Sequence, residues 1–491
     1  MSELVYAAIF LAIIAVAAVT TEILARKEIL EKNTGRKILH MTAGVLVSFL
    51  PHFIVGKITL LLIGIFVLVS LYYLVANNKL EGIDDLHRKS WGIVYFPVSF
   101  IILILLFIPD KPEVFTISFL LMTFSDAFAS IAGKKVKSRE YHLTTDKKTI
   151  GGSITFFLTT VILLSWFLFY SSDNFGEMMT PLFIISFVLV VATTSTLLEG
   201  IASDGFDNFS VPIGTAFLVN MYFYPAGQGI EAGMLGGFIA SVITGLLSYR
   251  FRFLTADGAV GATILGTFVF GFGGLQWTLP VLAFFILSSI LSKIRVKRNK
   301  EVEERFEKSG TRNIGQVLAN GGVGGVILLL ESYFNTGWLY PVYVLNFAAV
   351  CADTWGTEFG TMWKTKTVSL KNFKEVPQGL SGGVSLPGTL GSLAGAVVVV
   401  ITSYYWSGDL VILGVLMLLG FVGSLLDSLM GEFIQIQYRC GECGLVTERQ
   451  EHCNGNTSVH KGHPLITNDV VNFSSAIASI LIFVIIYKTW L

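Results

Sequence analysis

Acidic residues recur in this sequence where an apolar run ends, and there they stand beside glycine, a hydroxyl or a basic loop. The segment Phe124-Ser125-Asp126-Ala127-Phe128-Ala129-Ser130 places a lone carboxylate among apolar residues. A carboxylate at the end of a membrane segment is costly without a cation, so Asp126 points to metal or substrate binding, with a structural hydrogen bond as the plainer alternative. The basic loop that follows ends in Asp146-Lys147-Lys148-Thr149-Ile150-Gly151-Gly152-Ser153. Lysine, a hydroxyl and glycine amides at a helix N-terminus are the parts of a phosphate cradle, a solvated charge run being the plainer reading. No Walker A pattern occurs anywhere in the chain. Glu199 closes another apolar run, and Asp204-Gly205-Phe206-Asp207-Asn208 leads into Val211-Pro212. Upstream, Arg36-Lys37-x-x-His40 opens a span and reads either as a basic anchor or as an anion clamp.

Carboxylates beside cations and glycine amides are what Mg²⁺-nucleotide chemistry needs: hard oxygen ligands for the metal, cations for phosphate, and little covalent machinery. Asp126, Glu199 and Asp207 are therefore the expected metal-binding or acceptor-activating groups. Arg36, His40, Lys148, Thr149, Gly151, Gly152 and Asn208 are the expected phosphate and nucleotide contacts.

The second half repeats the pattern with Thr255-Ala256-Asp257-Gly258, Ala319-Asn320-Gly321-Gly322, Asp353-Thr354-Trp355-Gly356-Thr357-Glu358, Ser381-Gly382-Gly383-Val384-Ser385, Asp427-Ser428 and Asn468-Asp469. Asp353, Glu358 and Asp427 are its expected catalytic groups, Asp353 and Asp427 also being Mg²⁺ ligands. Asp257, Asn320, Ser381, Gly382, Gly383, Asn468 and Asp469 are expected on nucleotide or phosphate, although glycines in membrane helices also serve helix contact. Residues 125–133, SDAFASIAG, and 352–360, ADTWGTEFG, share an Asp, an aromatic two later, a hydroxyl four later and a Gly seven later. A Gly-Gly segment follows each Asp, at Gly151 and at Gly382, which suggests that the halves are distant duplicates. Separately, Cys440-x-x-Cys443, His452 and Cys453 are ligands of zinc type, with a strained geometry expected if the adjacent His452 and Cys453 bind one ion.

The elements that position these residues follow from composition. The chain has 491 residues, 53% hydrophobic and 14% charged, against roughly 25% charged for a soluble domain, which excludes a water-soluble globule. Basic and acidic residues balance at 34 each, so no net field favours nucleic acid. Apolar runs of about 20 residues, cut at charged, Pro and Gly-rich stretches, give about 16 transmembrane or re-entrant helices: an all-α polytopic membrane protein. The Gly-rich runs after Asp257 and Gly315 are short enough to be half-helices. If the first run crosses outward to inward, the inner loops 25–37, 77–91, 134–150, 249–257, 293–315, 354–384 and 431–468 hold 31 of the 34 Lys and Arg. The positive-inside rule then puts both termini outside and the working face in the cytoplasm of a cell membrane.

Residues 30–225 resemble the polyprenol kinase family of phytol and dolichol kinases through R-K-x-x-H, S-D-x-x-A, K-T-x-G-G-S and E-G...G-x-D-N-x-x-x-P, in this order. The resemblance implies CTP-dependent, Mg²⁺-dependent phosphorylation of a membrane-embedded isoprenoid alcohol. Residues 240–490 resemble the membrane family that includes plant phytyl-phosphate kinase, through D-T-W-G-T-E and S-G-G-V-S. That resemblance implies addition of a second phosphate to a prenyl monophosphate. The combined expectation is a fusion: module 1–228 makes prenyl monophosphate from a phytol- or geranylgeraniol-type prenol, and module 229–491, with its Cys/His loop at 431–468, makes the diphosphate. CTP, Mg²⁺, the prenol, the prenyl monophosphate and the bilayer are its expected partners, with structural Zn²⁺ in the loop. The rivals are a phosphatidate-type cytidylyltransferase, whose S-x8-K-D-x4-F-P-G-H-G-G signature is missing, and a transporter of an anionic lipid or metabolite.

Overall fold

The computed structural model describes residues 3–77, 91–224, 229–299, 301–306 and 310–490. Most of the inner loop 77–91, and the residues before the expected module boundary at 228/229, lie outside the described residues. The chain is an all-α polytopic membrane protein. It divides into two compact units, 1–235 and 236–491.

In the first unit the helices are α1 (Glu3–Arg26), α2 (Lys32–Phe53), α3 (Lys57–Ala76), α4 (Gly92–Phe107), α5 (Pro112–Lys135), α6 (Ile150–Tyr170), the single turn α7 (Ser172–Phe175), α8 (Pro181–Ile201) and α9 (Asp207–Phe223). A hairpin of β1 (Glu140–His142) and β2 (Lys147–Thr149) precedes α6. Helix α10 (Ile230–Arg250) runs into the second unit, which continues with α11 (Ala256–Arg298), α12 (Ile314–Phe334), α13 (Leu339–Met362), α14 (Leu386–Ile401), the turn α15 (Tyr404–Ser407), α16 (Leu410–Phe433) and α17 (Asn468–Trp490). Strands β3 (Val368–Ser369) and β4 (Gly383–Val384) pair before α14, and the five short strands β5 (Gln437–Arg439), β6 (Val446–Thr447), β7 (Glu451–His452), β8 (Gly455–Asn456) and β9 (Ser458–Lys461) lie between α16 and α17.

Each of the sixteen expected spans coincides with a helix or half of one, because an apolar run in lipid must satisfy its own backbone. The Gly-rich run after Asp257 and the apolar run that follows it form one helix, α11, broken at Gly274, whose φ of +57° only glycine adopts freely. Ten helices among the described residues are long and apolar enough to cross a membrane, and α4 and α14 are shorter apolar helices. Their outward faces are greasy, as Ile58, Leu62, Phe66 and Val69 on α3 illustrate, while Ser48, Ser118, Ser125 and Thr160 are buried inside. Lipid replaces water as the outer solvent, so polar groups bond across helices, as in the 2.9 Å contact of Ser125 with Thr160.

The two units share one plan. In the first, α5 packs on α6 and α9, α6 on α8, and α8 on α9; in the second, α13 packs on α14 and α17, α14 on α16, and α16 on α17. The helix that follows each β-hairpin is capped by a hydroxyl: Thr149 Oγ1 accepts from Gly152 N at 3.1 Å, and Ser385 Oγ accepts from Gly388 N at 3.3 Å. A side chain on Gly152 would meet Ala129 O and the Gly133 Cα, and one on Gly388 would meet Gly356 O and the Gly360 Cα. Ala129 and Gly133 stand three and seven residues after Asp126, as Gly356 and Gly360 do after Asp353. The sequence repeat is therefore a repeat of packing, and its second glycine is Gly388, not the Gly382 that the Gly-Gly spacing picks out.

Candidate functional site

In the first unit, Lys148 is the middle residue of β2, one residue before the Thr149 cap, and its ammonium faces carboxylates from two helices. Its Nζ lies 2.5 Å from Glu199 Oε1 near the end of α8 and 3.9 Å from Asp207 Oδ2 at the start of α9. Asp126 on α5 adds a third negative charge close enough to act on both Lys148 and Glu199, and His40 Nε2 on α2 lies 3.9 Å from Asp126 Oδ2. Burial works against the charge on Lys148, but Glu199 and Asp207 outweigh it and hold the ammonium above its ordinary range. Glu199 Oε2 is buried without a hydrogen-bond partner, an acceptor still to be satisfied. Tyr141 on β1 closes the site's edge through a 2.6 Å bond to Ser153 Oγ, and burial pushes its hydroxyl pKa up.

Four of the expected groups, Asp126, Lys148, Glu199 and Asp207, thus converge with His40 beside them. Other expected contacts have different duties. The amide of Gly151 donates to Ser138 Oγ at 3.0 Å and that of Gly152 to Thr149 Oγ1, so the expected cradle of open glycine amides is filled by the chain's own hydroxyls. Gly152 instead allows α6 to approach α5 closely. Asn208 braces the turn before α9, donating to Gly205 O at 3.2 Å, while its carbonyl accepts from Ser99 Oγ on α4 at 2.9 Å. The side chain of Arg36 lies outside the described residues.

In the second unit, Asp353 on α13 and Asp427 on α16 face each other within hydrogen-bonding reach. Asp427 Oδ2 accepts from Ser475 Oγ at 3.2 Å and, with its amide correctly oriented, from Asn472 at 2.9 Å, both on α17. Glu448, from the loop after β6, brings a third carboxylate near the pair and itself accepts from Ser381 Oγ at 2.9 Å and Gln435 Nε2 at 2.7 Å. Glu448 escaped the sequence reading because it lies in a charged loop with no apolar contrast; its signal, if any, was its place beside the Cys/His segment.

The remaining expected groups have partners of their own. Glu358 accepts from Arg295 Nε at 2.7 Å, and the same guanidinium meets Glu303 at 2.5 Å, so Glu358 belongs to a buried ion network tying α13 to α11. Asp257 accepts from Thr255 Oγ1 at 2.5 Å and from the Ile314 amide at 2.9 Å, which makes it the clamp between the N-termini of α11 and α12. Gly382, with φ of +85°, turns the chain tightly against Glu432, and the Gly383 amide donates back to Leu380 O at 2.9 Å. Asn468 and Asp469 open α17, the position that Asp207 and Asn208 hold on α9.

Asn320 opens onto a cavity that the sequence did not reveal. Leu265, Val269, Phe270 and Phe285 give it an apolar wall, with Arg312 and Asn320 among its few polar groups. Arg312 is held over the rings of Phe284 and Phe285 at 5.1 and 5.9 Å, a cation–π arrangement. Burial lowers its pKa, partly offset by Glu358. Asn320 Oδ1 is buried without a hydrogen-bond partner. An apolar wall with a guanidinium among it suits an amphiphile with an anionic head.

Residues 239–480, just under half of the chain, match the family described as "Integral membrane protein DUF92". The chain is similar to the protein titled "Uncharacterized membrane protein MJ0933" of Methanocaldococcus jannaschii, at 27% identity over 39% of this chain and 79% of that one. It is also similar to Protein PGR of Arabidopsis thaliana, at 26% identity over 50% of this chain and 96% of the relative. Phytol kinase of Synechocystis is 28% identical over 40% of this chain and 83% of its own length. No solved structure matches the chain.

Proposed function

We propose that this protein is a membrane-embedded prenol kinase that acts at both of its carboxylate sites. The first unit phosphorylates a long-chain prenol from CTP, and the second converts the prenyl monophosphate to the diphosphate. The observation that carries this reading is Lys148, a buried cation held by Glu199 and Asp207 with Asp126 and His40 beside it. Phosphoryl transfer asks a protein mainly to position and to balance charge, and this cluster has the parts. The similarity to phytol kinase supports a prenol as acceptor.

Lys148 donates one of its three N–H bonds to Glu199 and keeps donors for a phosphate oxygen. The orphan oxygen of Glu199 and the carboxylates of Asp207 and Asp126 are hard-oxygen donors of the kind Mg²⁺ takes, and they are the groups proposed to meet the metal that accompanies a nucleotide. When bound, the ion would neutralise phosphate charge. Asp126, with His40 Nε2 at 3.9 Å from its carboxylate, is the group proposed to receive the acceptor hydroxyl's proton. In the second unit, Asp353, Asp427 and Glu448 take the carboxylate roles, and the Arg312 cavity takes the lipid phosphate and the start of its chain.

The test is purified full-length protein in detergent, given γ-labelled CTP or ATP with a panel of prenols and prenyl monophosphates. Labelled monophosphate from a prenol, and diphosphate from a monophosphate, are the expected products, with Asp126→Asn abolishing only the first. Release of the label as pyrophosphate, which marks transfer of a cytidylyl group instead of phosphate, or no transfer from either nucleotide, would overturn the reading.

A further inference from the structure

Between α16 and α17 lies a miniature fold with almost no core of its own. Strands β6, β5 and β9 form one small sheet and β7 with β8 a separate hairpin, none longer than four residues. So few strands seldom hold themselves in water without a staple. Four potential ligands meet inside the segment: Cys440, Cys443, His452 and Cys453 each offer a donor atom, all within 4.8 Å of one another.

The backbone is built to aim them. Cys440 and Cys443 sit on a tight turn in which the Cys440 amide donates to Leu445 O and the Gly444 amide to Cys440 O, both at 3.0 Å, with Gly444 at φ +72°. His452 ends β7, and the two residues that turn the chain into β8, Cys453 and Asn454, have φ of +53° and +60°. Positive φ at both central residues is what a two-residue hairpin turn of the primed type requires. That turn brings the Cys453 thiol to within 3.1 Å of His452 Nδ1. Cys443 Sγ lies 3.5 Å from the same nitrogen.

Zinc–sulfur and zinc–nitrogen bonds of about 2.3 and 2.0 Å in a tetrahedron place ligand atoms roughly 3.5–3.8 Å apart. The cluster is close to that size. The other imidazole nitrogen, His452 Nε2, faces Glu304 Oε2 at 4.0 Å, where an outer carboxylate typically orients a metal-binding histidine.

We propose that Cys440, Cys443, His452 and Cys453 bind one structural Zn²⁺ through three thiolates and His452 Nδ1, with release of the thiol protons to solvent. The ion staples the segment that docks Thr447, Glu448 and Arg449 on the second unit. Thr447 Oγ1 donates to the carbonyls of Glu304 and Arg305 at 2.9 and 3.0 Å, the Glu448 amide donates to Arg305 O at 2.9 Å, and Arg449 donates to the carbonyls of Phe306 and Glu303 at 2.7 and 2.9 Å. Zinc thereby fixes where the Glu448 carboxylate stands relative to Asp353 and Asp427.

The test is metal content of the full-length protein purified without chelator and then equilibrated with Zn²⁺ and desalted. One zinc per chain is expected, with loss of the zinc in Cys440→Ser/Cys443→Ser and its retention in Cys351→Ser, which removes a buried cysteine elsewhere. Cobalt replacement in the wild-type chain gives a second reading independent of variant folding: intense tetrahedral d–d bands with sulfur-to-metal charge transfer. Removal of the metal is expected to open 437–461 to protease while the helices stay protected. Less than one tenth of a zinc per chain together with octahedral cobalt spectra, or a disulfide among Cys440, Cys443 and Cys453 in protein kept under reductant, would overturn the assignment.

Discussion

Lys148 and Glu199 separate a structural ion pair from a phosphate-binding lysine. Their side chains are only 17% and 7% exposed, and Asp207 stands 3.9 Å from the same ammonium. Lys148→Met leaves Glu199 buried without its cation beside two further carboxylates, and breaking a buried pair in this way costs about 3–5 kcal/mol. Glu199→Gln keeps the shape and leaves Lys148 with Asp207, so loss of the charged hydrogen bond should cost about 1.5–3 kcal/mol. The double variant removes both buried charges and should be more stable than Lys148→Met alone. Burial opposes the charge on Lys148 but its neighbours hold its pKa above the ordinary lysine range. A raised lysine pKa means that the stabilisation contributed by this ammonium is complete at neutral pH and fades only as pH climbs through that raised pKa. Turnover should follow a different pattern: loss of a preorganised cation costs about 100- to 1000-fold in kcat, and the double variant cannot restore it. The assay pairs thermal unfolding in detergent with labelled phosphate transfer from CTP to a prenol. A double variant that regains both stability and turnover would reduce Lys148 to a counter-ion and refute its phosphate role.

Asp427→Asn should stop conversion of monophosphate to diphosphate and leave prenol phosphorylation intact, read by product chromatography; loss of both steps would argue against separate sites. Gly395→Ala should destabilise the second unit by about 1–3 kcal/mol, because the new methyl group would stand 2.7 Å from Cys351 O on α13, two residues before Asp353; an unfolding midpoint unchanged from wild type would contradict this. Asp257→Ala should cost about 1 kcal/mol as a lost helix cap while leaving the KM for nucleotide unchanged, and a large rise in that KM would restore it to the nucleotide site. Arg312→Met should raise the KM for prenyl monophosphate about 10-fold or more and leave the KM for free prenol alone, since a single good charged contact contributes about 1.5–3 kcal/mol.

The helices were legible because lipid imposes one rule, that an apolar run must bond its own backbone, and that rule is written in composition. Asp126, Glu199, Asp353 and Asp427 were legible for a related reason: a carboxylate at the end of an apolar run stands out. The glycine amides misled. Thr149-x-x-Gly152 and Ser385-x-x-Gly388 are hydroxyl-capped helix starts, and the hydroxyl that seemed to complete a phosphate cradle fills it. The partners of Glu358 and Asp257 could not be read from the sequence, since Arg295 and the Ile314 amide are 63 and 57 residues away. Arg312 and Glu448 went unseen because each looks like one more charge in a charged loop until packing removes it from water or sets it beside other carboxylates.

The shared plan of the two units makes their difference informative. The residue before the capping hydroxyl is Lys148 in the first unit and Val384 in the second. Where the lysine is present, the carboxylate on the neighbouring helix, Glu199, has a cation at 2.5 Å. Where valine replaces it, Asp427 faces Asp353, with Ser475 and Asn472 as its neutral donors. Two carboxylates that close need a proton or a cation between them, so the second site is set up to gain positive charge from what it binds, while the first carries its own. That asymmetry predicts a dependence on divalent cation that differs between the steps. Raising Mg²⁺ from limiting levels should stimulate diphosphate formation more steeply than monophosphate formation, and placing a lysine at the second site through Val384→Lys should flatten that response. Equal Mg²⁺ curves for the two steps in the wild-type protein would remove the basis for assigning the charge difference a functional role.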